Sequence, residues 1–225
     1  AEQIQKIEPN SHTGYELAGD ARVVGKNYAE AKAAYEQAWQ RRQSAELAIK
    51  LSETSARLGQ GEEVTRPLME WLSQNPEDAR ILQFLGTAYL NAGDETQAIS
   101  TYEKALQIEP NDVVVLNNLA WLYAKAGNPK AVELAERAYN LSPDNVGIQD
   151  TYGWVLVQQG QAEKGRKLLE QVMEKLPEVA EVQYHYAVAL LKTGDKSEGE
   201  KRLRDLLDSG KAFDGMEAAR DLLGD

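Results

Sequence analysis

Residues 79–112 read ARILQFLGTAYLNAGDETQAISTYEKALQIEPND. Leu82, Leu85, Gly86 and Tyr89 fall on one stripe at helical spacing. Gly93 and Asp94 interrupt that helix, and Ala98, Tyr102 and Ala105 form a second stripe that Pro110 stops. The spacing predicts two amphipathic helices with a glycine turn between them. A pair this short cannot bury both stripes by itself and needs neighbours of its own kind.

The chain supplies them. Pro76, Pro110, Pro143 and Pro177 follow one another at 34, 33 and 34 residues, and Pro9 lies 67 residues before Pro76, so one proline is missing near Gln43. On this ruler six units start at His12, Ala45, Ala79, Val113, Val146 and Ala180. The period and the residue types at fixed offsets resemble the tetratricopeptide repeat. The marker positions of that family, 4, 7, 8, 11, 20, 24, 27 and 32, are filled in the central unit by Leu82, Leu85, Gly86, Tyr89, Ala98, Tyr102, Ala105 and Pro110. The resemblance implies an all-α, right-handed superhelical solenoid with repeats over 12–44, 45–78, 79–112, 113–145, 146–179 and 180–212. A repeat array grows unit by unit as one elongated domain, so no boundary is expected inside it. Ile7-Glu8-Pro9-Asn10 repeats as Ile108-Glu109-Pro110-Asn111; residues 1–11 therefore read as the tail of a preceding repeat, in an array expected to extend upstream of Ala1. Phe213, Met216, Ala219, Leu222 and Leu223 lie at helical spacing, and 213–225 reads as a capping helix that shields the last apolar face.

Departures from the pattern carry their own expectations. In the second unit Ser52, Ser55, Val64 and Trp71 replace the usual small residues and tyrosine, so this pair should be splayed, with Trp71 as a core residue. The first unit places Arg22 where a tyrosine belongs. Pro129 suits the first turn of a second helix. Gly165 and Gly199 stand where other units have alanine, and each should mark a close helix crossing.

Charge and composition narrow the function. A net charge of −11 and a pI near 4.8 argue against nucleic acid and against an anionic membrane surface, both of which attract clustered Lys and Arg. Cysteine is absent, which removes disulfide and thiolate chemistry and fits the periplasm as well as the cytosol. The two histidines, His12 and His185, lie five repeats apart, so neither a metal cluster nor a nucleophile–base pair is indicated. No phosphate-binding glycine loop or zinc-protease helix occurs. An enzyme is not expected, nor is a cofactor.

What remains is binding. At 100° per residue, position 9 of a repeat lies roughly 150° from the mean direction of positions 4, 7, 8 and 11, and so faces away from its partner helix. Trp121 and Trp154 occupy position 9 of the fourth and fifth units. Asn117 and Asp150 at position 5, Lys125 and Gln158 at position 13, and Tyr184 and Lys192 of the sixth unit share that face. In tetratricopeptide proteins it forms the concave groove that receives extended or helical peptides, and tryptophans flanked by polar groups are the composition of a hot spot. The structural alternative is that each indole lies flat against the neighbouring helix. The clamp that grips chaperone carboxylate tails is not indicated: of its marker residues only Asn118 is matched, with Gln83 and Thr87 before it and Gly147 and Thr151 after it.

Beyond the repeat itself, Tyr152-Gly153-Trp154-Val155-Leu156, then Tyr184-His185-Tyr186-Ala187-Val188-Ala189-Leu190, then Ser209-Gly210-Lys211-Ala212-Phe213, resemble the end of bacterial tetratricopeptide lipoproteins of exopolysaccharide export and PEP-CTERM sorting. That resemblance implies a periplasmic or outer-membrane-associated scaffold with a lipid anchor upstream of Ala1. The expectation is a non-catalytic scaffold that binds a protein or peptide. A cytosolic adaptor, or the regulatory arm of an enzyme, and a carbohydrate-binding module are the alternatives.

Overall fold

The computed structural model describes residues 11–224, and among them it contains thirteen helices and no strand. The reading of residues 1–11 as a repeat tail falls almost wholly outside the described residues. Although no boundary is evident in the sequence, the helices gather into two compact units, which divide after Pro110.

Unit 1 holds α1 (His12–Val24), α2 (Tyr28–Arg41), α3 (Ala45–Arg57), α4 (Gly61–Gln74), α5 (Ala79–Asn91) and α6 (Glu95–Ile108). Unit 2 holds α7 (Val113–Lys125), α8 (Lys130–Leu141), α9 (Val146–Gln158), α10 (Ala162–Lys175), α11 (Ala180–Lys192), α12 (Lys196–Asp208) and α13 (Met216–Leu223). Consecutive helices pair as hairpins. In unit 2 the first helices α7, α9 and α11 also pack side by side, and α13 packs on α12.

The local chemistry explains where the helices begin. The side chains of Ser11, Ser44, Asp78, Asp94, Asp112 and Asn145 each accept a hydrogen bond from a backbone N–H of the first turn that follows. Each such cap is worth about 1 kcal/mol. The ends of the first helices are equally regular: Gly59, Gly93, Gly127, Gly160 and Gly194 all have φ between 67° and 94°, the left-handed conformation that closes a helix. Lys26 occupies the same place after α1 with φ 59°. Its turn closes like the others: Lys26 N donates to Val23 O at 2.9 Å, and Asn27 N to Arg22 O at 2.9 Å.

Helices of a pair touch through small residues. A Cβ on Gly86 would meet the Tyr102 ring at 2.6 Å, and Tyr102 is completely buried. In the fifth repeat glycines face each other: a Cβ on Gly165 would lie 2.5 Å from the Gly153 carbonyl oxygen and 3.0 Å from Val157 N. Gly199 is likewise pressed against Leu191 and the Ala187 carbonyl. Both glycines mark the close crossings that the sequence suggests. The second repeat differs from expectation. Trp71 is only half-buried, because its Nε1 donates to Asp78 Oδ2 at 2.8 Å and its ring lies over the edge of the unit 1 core. α4 fully buries only Pro67 and Leu68, yet it still packs along α3.

Two substitutions test these constraints. Lys26→Gly relieves a left-handed conformation that costs a side-chain-bearing residue about 1 kcal/mol, and urea denaturation should show a gain of that order. Gly165→Ala would gain about 1 kcal/mol in helix propensity. Because backbone, and not a flexible side chain, opposes the new methyl, the ~1–3 kcal/mol of overpacking should dominate and the midpoint should fall.

Candidate functional site

α7 and α9 turn positions 9 and 13 of successive repeats toward one side of unit 2, and α11 meets them there with positions 2, 5 and 6 of the sixth. Trp121 and Lys125 from α7, Trp154 and Gln158 from α9, and Tyr184 from α11 together line a pocket of about 270 Å³. Glu181, His185, Asp214 and Gly215 complete it. The sequence reading brings the first five together and misses the last four.

The floor is an aromatic stack. Trp154 is 8% exposed, and its ring lies on the His185 imidazole at 4.3 Å with an interplanar angle of 17°. Tyr184 tilts against Trp154 at 5.5 Å and against Phe213 at 5.3 Å. The structural alternative therefore describes Trp154: its indole is laid against the neighbouring helix. Trp121 differs. It is half-buried, packs at the edge of the unit 2 core, and carries Lys125 Nζ 5.1 Å from its ring centroid.

Polar contacts fix the floor from behind. His185 Nδ1 donates to Asp150 Oδ2 at 2.9 Å, and both side chains are largely buried. Trp154 Nε1 donates to the Gln158 side-chain oxygen at 3.1 Å, while the Gln158 amide nitrogen donates to the Ala124 carbonyl at 3.1 Å and ties α9 to α7. Asp150 thus belongs beneath the pocket, not on its wall. Asn117 and Lys192 are not brought into it. Asn117 Oδ1 is buried and finds no hydrogen-bond partner among the described residues. The exposed Lys192 points its ammonium at the Val157 carbonyl, 3.4 Å away.

One wall comes from the segment before α13. Gly215 has φ 102° and lies so close to Tyr184 that a Cβ would meet its ring at 2.7 Å. Lys211 Nζ holds this segment to Glu178, donating to its carbonyl and its carboxylate at 3.1 Å each. Asp214 and Glu181 stand exposed at the rim. Burial, and then the neighbouring Asp214 carboxylate, push the Tyr184 phenol above the ordinary tyrosine value.

Unit 1 has a larger depression, about 480 Å³, lined by Asp20, Tyr35 and Lys50 among others. Lys50, Asp20 and Tyr35 there are already engaged: Lys50 Nζ lies 2.8 Å from Glu16 and 2.9 Å from Asp20, and Tyr35 OH donates to Asp20 at 2.8 Å. Among the described residues no group of carboxylates and imidazoles could hold a metal ion, and no helix is long and apolar enough to cross a membrane.

Comparison with known proteins agrees with this architecture. Tetratricopeptide-repeat family models match residues 22–130 and 156–215. The chain belongs to the tetratricopeptide-repeat proteins, a class whose folds serve as protein-interaction scaffolds. A TPR repeat-containing protein of Pseudomonas aeruginosa is 27% identical over 121 residues, 53% of this chain. The chain spans only 20% of that protein's length. A tetratricopeptide repeat protein from Parabacteroides merdae superposes with a TM-score of 0.76 at 14% identity, over 93% of this chain and 84% of that one. YrrB, described as a TPR protein with an unusual peptide-binding site, superposes with a TM-score of 0.62 at 19% identity, over 78% of this chain and 91% of its own.

The Tyr184 environment has a measurable signature. A phenol whose folded value is raised contributes stability that is fully present below about pH 10, the unfolded value, and is lost as the pH climbs through the folded value. Tyr35, Tyr152 and Tyr186 are also shifted upward, so ultraviolet titration should show several late-ionising tyrosines, and one fewer of them in Tyr184→Phe. In Asp214→Asn, Tyr184 should ionise earlier, though still above the ordinary value because burial remains.

Proposed function

We propose that unit 2 is the capture surface of a non-catalytic interaction scaffold. A segment of another protein lies along α7, α9 and α11, and one of its side chains enters the pocket. The observation that carries this reading is the contrast between the two tryptophans. Trp154 is locked into an ordered aromatic floor, and Trp121 keeps part of its indole open beside it. A partly open aromatic over a preformed floor costs little ordering on binding, the condition under which hot spots arise. The peptide-binding site named for YrrB, which shares the fold, supports peptide capture as a use of this fold. Carbohydrate stacking is the weaker alternative, because the Trp154 face that a sugar ring would need is covered by His185.

The setting we propose is the bacterial envelope, supported by the resemblance of the Tyr152–Leu156, Tyr184–Leu190 and Ser209–Phe213 motifs to envelope lipoproteins. Fractionation of cells expressing the full-length protein addresses this point: recovery in the cytosol alone would favour the adaptor alternative.

Peptide-display selection against the chain tests the capture surface. Enriched peptides should bind about 30-fold more weakly to Trp121→Ala, the effect of losing a hot-spot residue, while circular dichroism shows helicity unchanged. Trp121 suits this test because it is half-buried, whereas truncating Trp154 would open the core. Peptides that bind Trp121→Ala as tightly as the parent would overturn the assignment.

A further inference from the structure

We infer that the pocket of unit 2 is a receptor for a cationic side chain, specifically an arginine of the captured segment. This inference rests on the capture reading above and names the chemistry of the residue captured.

The pocket offers a cation both of the things it needs, aromatic faces and hydrogen-bond acceptors. The part of the Trp121 ring left exposed supplies the face, beside the buried Trp154 and Tyr184 rings that line the pocket, and a ring face attracts positive charge. Glu181 and Asp214 place two carboxylates at the rim. The third polar group is less evident. His185 gives its Nδ1 hydrogen to Asp150, so in the neutral imidazole Nε2 carries the lone pair and is an acceptor. The Gln158 amide, which could otherwise present a donor, is engaged with Trp154 and Ala124.

The structure already shows a cation using this surface. Lys125 Nζ sits 5.1 Å from the Trp121 ring centroid, on an exposed and flexible stem. Among the residues that line the pocket, Lys125 is the one positive charge. A guanidinium fits better, because it is planar, stacks on an indole and spreads its donors toward several acceptors at once. The volume agrees: about 270 Å³ lies just below the roughly 300–1,000 Å³ of small-molecule sites and suits one long side chain. A net charge of −11 draws basic segments toward the chain.

The probe is N-acetylarginine amide, compared with N-acetylcitrulline amide, which has the same shape and no charge. Both are titrated into the full chain while NMR follows the Trp121 and Trp154 indole N–H signals and the His185 ring. The arginine probe should shift Trp121 and His185 saturably, with citrulline about 10-fold weaker. The Glu181→Gln/Asp214→Asn double variant should bring arginine down to the citrulline level, and Lys125→Ala should tighten arginine about 3-fold. Equal responses to the two probes, no saturable response, or an arginine response that survives the double variant each overturn the inference. The probe is a single capped residue, so the two readings fail separately. Arginine binding here alongside selected peptides that ignore Trp121→Ala removes the capture reading alone. Trp121-dependent peptides that are indifferent to exchange of arginine for citrulline remove this inference alone.

Discussion

Each helical hairpin in this chain depends on how closely two backbones approach at one point. A small residue near the middle of the first helix lets a large residue of the second lie flat across it, as Tyr102 does over Gly86 and Leu169 over Gly153. A methyl group at such a glycine would overlap the ring or side chain above it. With the approach in place, Tyr102 and Leu169 are completely buried. The area taken from water at these crossings, at roughly 25 cal/mol per Å², is what holds the hairpin. In the fifth repeat the same role is shared by Gly153 and Gly165, and backbone meets backbone.

This close pairing determines which surfaces are left over. Once the inner stripes are used within each pair, the first helices of unit 2 still need lateral neighbours, and they find one another. Their lateral packing brings position 9 of the fifth repeat against positions 5 and 6 of the sixth. The outcome is the Trp154–His185 stack, backed by Asp150 and Gln158. Trp121, at the edge of the unit 2 core with Lys125 over its ring, remains half-buried. Two tryptophans at equivalent repeat positions thus take different roles because their neighbours differ. The Asp150 carboxylate bound to His185 also fixes the orientation of that ring within the floor, and an ordered floor spares a partner the entropy of ordering it.

The sequence by itself determined the fold class. A period of 33 to 34 residues, with small and large residues at fixed offsets, leaves a chain no way to bury its apolar stripes except by stacking helical hairpins. Helical geometry alone also sets the direction of Trp121, Lys125, Trp154, Gln158 and Tyr184 from their own axes, although Trp154 and Tyr184 end up buried. Tertiary structure decided the rest. A helical wheel knows only the axis it is drawn on, so it cannot show that α11 lays His185 over Trp154, that Lys192 turns to a carbonyl, or that Asp150 passes beneath the pocket. Asp214 and Gly215 were invisible for a related reason: they lie in an irregular segment outside the repeat, and only packing on Tyr184 brings them to the site. Periodicity fixes what a residue faces within its own repeat, and contacts between repeats fix what meets it there.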